Sequence, residues 1–285
     1  ARTRNPLPFY ATVHQAIERV ASESKPDLCL TFALAPIPPG FRETLDRFKI
    51  RSAHWFFEDG RRFPIFERMA SEHDMLCSIQ PWVAAMLREQ GHTDAHYLPL
   101  GVPIRCQNAP AKPASSPTYR VSFVGTPSPR RLKIFKEILD LDFNVWGPGW
   151  ADADPAFEAA QREQGRWLSR DEEIEVYLNS EIVVNLHQDA GRHGDPDFIN
   201  PRTFVLAALG VPQILEDRLE LAPLFDLTQE LTVFKPDESV RRRLLDALES
   251  PQQRLRKAQK SQARALEYHL LQHRLTQLFE LAKGS

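Results

Sequence analysis

The chain has 285 residues, 42% of them hydrophobic and 26% charged, a balance that excludes a disordered polymer and supports a sizeable buried core. That length exceeds one ordinary core and fits two α/β domains of typical size with a cleft between them. Thirty-six Lys plus Arg against 38 Asp plus Glu leave a formal net charge of -2, so no global field favours nucleic acid and any anion site must be local.

Residues 9–22 read as an amphipathic helix with Val13, Ile17 and Val20 on one face, and 27–32 as a short buried strand. A sequence that starts at Ala1 with a helix leading into a strand predicts that a first strand is missing from this domain. A Pro-rich turn from Pro36 to Pro39 opens a second helix running to Phe48, and the strand-like stretch 52–57 ends at Glu58-Asp59-Gly60. Residues 75–79 then read as strand, 82–90 as helix and 96–100 as strand, the grammar of a parallel sheet with helical crossovers. Around Pro110, Pro113 and Pro117 the composition shifts to Ala, Pro, Ser and Lys, which sets a linker over 107–118 after a first domain of residues 1–106.

The alternation restarts with strand 120–124, helix 131–139 and strand 144–146. Helix 173–180, strand 182–186, helix 203–209 and strands 212–215 and 231–234 complete a second domain over 119–260, and 261–285 is a closing helix. Over residues 251–282, Leu255, Leu266, Leu270, Leu271, Leu275, Leu278 and Phe279 fall at mostly helical spacings. No internal repeat of fixed short period is visible. Cys29, Cys77 and Cys106 have neither CxxC spacing nor an even count, so a reducing cytoplasm is the simpler reading. No apolar run approaches the ~20 residues of a transmembrane segment, and the N-terminus lacks the apolar core of a signal peptide.

In open parallel sheets ligands bind beyond the carboxyl ends of the strands, and four loops there are unusual. The run from Phe123 to Arg131 passes from a strand through Gly125 and Thr126 into a proline-punctuated turn, with Arg130 and Arg131 at a helix start. Glycine permits close backbone approach, and free N–H groups with arginine suit a phosphate; a plain strand-turn-helix with solvated arginines reads the same letters. Gly147-Pro148-Gly149-Trp150 lets backbone approach a planar base, or is simply a tight turn. His187 closes a buried strand, as a structural histidine or as a site residue by the cleft. Asn200-Pro201-Arg202-Thr203-Phe204 enters a small-residue helix closed by Gly210, whose positive dipole end suits a diphosphate, against the alternative of an ordinary capped helix.

The stretches FVGTPSPRR, VWGPGW, YLNSEIVVNLHQD and DFINPRTFVLAALGVPQILED, followed by an acidic helix before LTVF, resemble in content and order the C-terminal domain of the CgeB-like glycosyltransferases, within the GT-B superfamily. The resemblance spans about residues 119–280, and KPDLCLTF, AHWFFEDGRRF and HYLPLGVP are more loosely similar to the family's first domain. It implies an α/β fold of two Rossmann-like domains facing a cleft, with a C-terminal helix crossing back to the first domain. The second domain would hold a nucleotide-diphosphate sugar as donor substrate, and a glycan or protein acceptor would face the first. By the same resemblance Gly125, Thr126 and Arg130 or Arg131 lie by the diphosphate, Asn200, Arg202, Thr203 and Phe204 lie opposite, and Gly147 and Trp150 flank the base. One departure is plain: where related enzymes carry a glutamate for the ribose, five residues before the glycine, this chain has Val205, and the earlier acidic position falls on Asp197.

Sugar transfer from such a donor builds positive charge on the anomeric carbon and negative charge on the leaving phosphate, which Arg130, Arg131 and Arg202 could stabilise. Asp195-Pro196-Asp197 has the letters of a metal-binding DxD but no strand beside it, so neither a metal nor a cofactor is expected. Glu58, Asp59, His187 and Asp197 are the candidate catalytic groups; Glu58 and Asp59 fit an acceptor base or equally a turn. Two rivals share the architecture: a nucleotide-sugar epimerase using His187, Glu58 and Asp197, and a non-catalytic sugar-nucleotide binder suggested by Val205.

Overall fold

The computed structural model describes residues 7–107, 116–187, 198–235 and 238–284. Most of the expected linker lies outside them, as do Asp195 and Asp197. The chain divides into two compact units, one formed by residues up to Pro99 together with those from Arg274 on, the other by Leu100–His273.

The first unit begins with α1 (Leu7–Ser24), β1 (Leu28–Phe32), α2 (Phe41–Phe48) and β2 (Arg51–Phe56). It continues with α3 (Phe66–Glu72), β3 (Met75–Ser78), α4 (Pro81–Glu89) and β4 (Ala95–Tyr97). Its sheet has the order β1-β2-β3-β4, every pair parallel, with Trp55 opposite Phe32 on one side and Cys77 on the other. All of β3 and all but the first residue of β2 are buried, as strands covered on both faces must be, and the polar Ser52, His54 and Ser78 are buried with them.

The second unit runs α5 (Ile104–Gln107), β5 (Tyr119–Val124), α6 (Pro129–Lys136), β6 (Phe143–Trp146), α7 (Trp150–Ala153), α8 (Arg170–Leu178) and β7 (Ser180–Asn185). It ends with α9 (Pro201–Ala208), β8 (Gln213–Glu216), β9 (Thr232–Phe234), α10 (Val240–Glu249) and α11 (Pro251–Tyr268). The strand order is β6-β5-β7-β8-β9, again all parallel. From β5 the chain steps outward to β6, then returns to the other side of β5 for β7, β8 and β9. This reversal between β5 and β7 is a topological switch point, where two neighbouring loops diverge and leave a crevice beyond the carboxyl ends of the strands. One sheet face buries Phe123, Phe135, Phe143 and Val145 with Trp150 and Phe157; other clusters collect Phe204, Phe225 and Ala265, and Trp146, Tyr177 and Leu206. Both units are Rossmann-like α/β layers, and among the described residues no helix is long and apolar enough to cross a membrane.

The closing segment differs from a single helix. It breaks between α11 and α12 (Leu271–Gly284) because the chain there joins a bridge with Val102: Val102 N–H donates to His269 O at 2.7 Å and Leu271 N–H to Val102 O at 3.0 Å. His269 Nε2 is also tied to Leu224 O at 2.7 Å. From Arg274 onward α12 belongs to the first unit, so the chain does cross back. The buried face of α11 is Arg254, Ala258, Ser261 and Ala265 rather than leucine, while Leu255 and Phe279 are each 45% exposed. Small residues at i, i+4 spacing let α11 lie close on α9, where Ala207 and Ala208 are equally small. The segment expected as an acidic helix before β9 forms turns.

Candidate functional site

At the end of β5 the chain passes through Gly125, whose φ of 149° excludes a side chain without strain. An added Cβ there would meet the Phe123 ring at 3.0 Å and the Arg202 guanidinium at 3.3 Å. The Gly125 carbonyl is turned inward, where it accepts the Trp150 indole N–H at 2.8 Å. Because the peptide is trans, the Thr126 N–H is presented on the opposite side, away from the indole. Ser128 caps α6 by accepting the Arg131 N–H at 3.3 Å, and Pro129 stands at the helix's first position, where a missing N–H costs nothing.

The other lip of the crevice is built from β7 and α9. Asn185, the last residue of β7, donates to Thr203 Oγ1 and Gln213 Oε1, each at 3.0 Å, and accepts from Asn200 Nδ2 at 2.9 Å. Asn200 in turn caps α9, accepting the Thr203 N–H at 3.1 Å, with Pro201 next. The entrance of α9 is thereby pinned to the end of β7 by a network in which every named amide has its partners.

Two arginines lace the lips together. Arg131, buried, donates to Thr126 O and to Leu186 O, both at 2.9 Å, and so joins the exits of β5 and β7 across the switch point. Arg202 donates from Nε to Tyr177 Oη at 3.1 Å, and its terminal nitrogens reach Asn185 Oδ1 and Val124 O. Both guanidiniums lie against the Phe123 ring, 4.9 and 4.8 Å from its centroid, a cation–π arrangement favoured by the dry surroundings. Glu216, at the end of β8 and 1% exposed, pairs with Arg130 and with Arg218, the latter at 2.6 Å. Tyr177 Oη donates to Glu173 at 2.7 Å. Four guanidiniums against the carboxylates of Glu216 and Glu173 leave a local excess of positive charge in a chain whose net charge is only -2.

His187 sits within this charge. It is 1% exposed, and its Nε2 accepts the Asn200 N–H at 3.1 Å. Burial first, and then Arg218, Arg202, Arg131 and Arg130, hold its pKa well below the usual 6.5, so the imidazole is neutral.

The structure thus gathers Gly125, Thr126, Arg130, Arg131, Gly147, His187, Asn200, Arg202 and Thr203 around the ends of β5, β6 and β7. Two residues are corrected. Trp150 offers no ring face to a base: it is fully buried among Phe123, Phe135 and Phe157, and its role is to hold the Gly125 carbonyl. The Phe204 side chain is likewise core, packed on Phe225 and His269. Thr203 is wholly buried, its hydroxyl engaged with Asn185 and Asn200. Val205 packs its side chain against the surrounding apolar clusters. Asp197 lies outside the described residues.

Glu58 and Asp59 belong to the first unit, at the exit of β2. Partial burial raises the Glu58 pKa, with Arg62 opposing the shift. Asp59 is buried and accepts from Gln80 Nε2 and from Arg61 N–H, each at 3.1 Å, while Gln80 Oε1 takes the Gly60 N–H at 2.7 Å. Asp59 therefore organises the turn that presents Glu58. Among the described residues no group of three His, Cys, Asp or Glu could hold a metal ion.

The residues missed in the sequence are Asn185, Tyr177, Glu216 and Arg218. A polar Asn after the apolar run Ile182-Val183-Val184, and a Glu ending β8, are the available signals; Tyr177 and Arg218 carry none, although Glu173 and Glu216 stand close in sequence, because neither letter tells which way its side chain points.

Comparison with known proteins adds to this geometry. A family model described as glycosyl transferase-like matches residues 130–280. The spore protein CgeB of Bacillus subtilis (strain 168) is 24% identical over 207 residues, which cover 67% of this chain and 64% of CgeB, less than two thirds of that protein's length. The Anabaena protein HepE, solved with UDP-glucose, superposes over 98% of this chain and 82% of its own with a TM-score of 0.66 and 12% identity. A putative UDP-N-acetylglucosamine 2-epimerase from Listeria monocytogenes does so over 99% of this chain and 81% of its own, with a TM-score of 0.56 and 13% identity. At such identities the likeness is one of fold.

Proposed function

The chain belongs to the glycosyl transferase-like family, and we propose that it transfers a sugar from a nucleotide-diphosphate donor to a glycan or protein acceptor without a metal ion. The observation that carries this reading is the excess of guanidinium charge at the switch point of the second unit, next to the starts of α6 and α9. A leaving nucleoside diphosphate gains negative charge as the glycosidic bond to it breaks, and preorganised cations and amides in a dry site stabilise that charge. In this reading the Thr126 N–H, the first turn of α6 and the partly exposed Arg130 contact the diphosphate, with Asn200 and Arg202 on the opposite lip. Arg131 and Arg202 also act as posts that keep the lips at a fixed spacing, since their donors are spent on Thr126, Leu186 and Val124 carbonyls. Glu58, half-exposed with a raised pKa, is the group suited to take the acceptor's proton. The three cysteines are free thiols, which supports a reducing, cytoplasmic setting.

The test is to incubate the protein with UDP-, GDP-, ADP- and dTDP-sugars in the presence of EDTA and to measure free nucleoside diphosphate. Release that grows with added glycan or protein acceptor is expected. Binding without release would make the protein a sugar-nucleotide binder, and an altered sugar still attached to nucleotide would make it an epimerase. Activity lost in EDTA and restored by Mg²⁺ or Mn²⁺ would overturn metal independence.

A further inference from the structure

We propose that the Nδ1–H of His187 is a hydrogen-bond donor to a phosphate oxygen of the bound nucleoside diphosphate, an inference that rests on the donor reading above.

Asn200 N is a backbone amide and can only donate, so His187 Nε2, 3.1 Å away, must present its lone pair. A neutral imidazole with a bare Nε2 carries its proton on Nδ1. The charge state is set by the surroundings, which hold the ring neutral through burial and nearby arginines. Nδ1 is shielded from solvent and, among the described residues, has no hydrogen-bond partner.

A buried donor without an acceptor forfeits its hydration without compensation, so its persistence calls for a partner that arrives with a ligand. The charged neighbours acting on the ring are Arg218, Arg202, Arg131 and Arg130, all donors without acceptor capacity. Arg131 and Arg202 are bonded to carbonyl and side-chain oxygens and Arg130 and Arg218 to Glu216, so it is the His187 Nδ1–H, set in this positive charge, that has a need, and the need is for an acceptor bearing negative charge. A phosphate oxygen of a donor held in the crevice where β5 and β7 part would meet it, since His187 follows the end of β7 by two residues. In this role His187 is a binding group and not a proton acceptor: its one basic nitrogen is occupied by Asn200.

Two substitutions separate the two ends of the ring. His187→Gln places an amide oxygen near Nε2, where it can keep the Asn200 N–H, and removes the donor at Nδ1. His187→Asn keeps a donor near Nδ1 and gives up the acceptor at Nε2. Binding of inorganic pyrophosphate and of UDP, GDP, ADP and dTDP is measured by calorimetry for all three proteins, together with the corresponding nucleosides. The proposal expects His187→Gln to weaken the tightest diphosphate about tenfold, the equivalent of one hydrogen bond to a charged group, with nucleoside affinity unchanged. His187→Asn should retain more of the diphosphate affinity than His187→Gln. The opposite order would show that the Asn200 contact is what matters and would overturn the proposal. Nitrogen-15 spectra of the wild-type ring provide a reading independent of any variant's folding: a protonated Nδ1 whose proton moves downfield with pyrophosphate is expected, and a proton on Nε2 refutes it. If wild type binds a diphosphate and His187→Gln binds it equally, the donor reading stands and this inference falls; if wild type binds neither a nucleoside diphosphate nor pyrophosphate, both fall.

Discussion

Gly147 faces Gly125 so closely that a Cβ on Gly147 would lie 2.5 Å from the Gly125 carbonyl oxygen. The exits of β5 and β6 touch backbone to backbone, and the same carbonyl also receives the Trp150 indole N–H. Gly147 further has φ 115°, which a side chain rarely adopts. Gly147→Ala must therefore push the Gly125 turn aside. A loss of about 1–3 kcal/mol is expected in urea unfolding, the range for overpacking, together with weakened nucleoside diphosphate binding. An alanine variant with unchanged stability and affinity would show that the two exits are not held by this approach.

Trp150→Phe tests how the Gly125 carbonyl is held. Most of the aromatic packing on Phe123, Phe135 and Phe157 survives, while the N–H···O bond is lost and a buried carbonyl is left without it. The expected cost is about 1–3 kcal/mol in thermal or chemical unfolding. Because the indole is enclosed, nucleoside affinity should be unaffected; a variant that loses nucleoside binding selectively would return Trp150 to the base site.

The residues at this turn also show what was legible in the sequence. The α/β alternation, the parallel pairing and nearly every strand could be read from short apolar runs ending in glycine or polar residues, since a strand covered on both faces has little freedom of composition. Gly125, Arg130, Asn200 and Arg202 could be found because they stand where strands end and helices begin. What could not be read is direction. Trp150 looks the same in sequence whether its ring faces a base or the core, and Arg131 the same whether it is solvated or bonded to Leu186 O. The break at His269 was equally hidden, because it depends on Val102, far away along the chain.

Arg202→Lys should behave almost as poorly as Arg202→Ala. The guanidinium reaches Tyr177, Asn185 and Val124 from three different nitrogens, and one ammonium cannot span them. Loss of hydrogen bonds from a charged group is expected to cost about 1.5–3 kcal/mol in unfolding free energy, and diphosphate binding should weaken with it. Full retention of both in the lysine variant would mean that only the charge is used.

The first unit carries an acid-sensitive relay. Thr31 Oγ1 lies 2.6 Å from His54 Nδ1 and 2.8 Å from His73 Nε2, and His73 Nδ1–H donates to Met69 O at 2.7 Å. With both rings neutral, as their lowered pKa values make them near pH 7, His73 gives its one proton to Met69 O and accepts from the Thr31 hydroxyl at Nε2, and Thr31 accepts from the His54 Nδ1–H. Burial, with His73 nearby, holds His54 at about 3, and burial holds His73 at about 4, against 6.5 for an ordinary histidine. Both folded values lie below the unfolded one, so the unfolded chain binds protons first as pH falls. The stability contribution is complete above pH 6.5 and declines through the window down to about 4 and 3, by up to about 1.4 kcal/mol per pH unit for each ring. Urea unfolding between pH 7.5 and pH 5 should show this slope, reduced in His73→Gln. An identical slope in the variant would remove the relay as its cause.

Whether the donor diphosphate sits where β5 and β7 part is decided by a crystal structure with UDP, or with whichever nucleoside diphosphate binds most tightly. Phosphate oxygens are expected within hydrogen-bond distance of the Thr126 N–H and the Arg130 guanidinium, with Trp150 still enclosed beneath the Gly125 carbonyl. A diphosphate bound elsewhere on the second unit, or on the first, would contradict this placement.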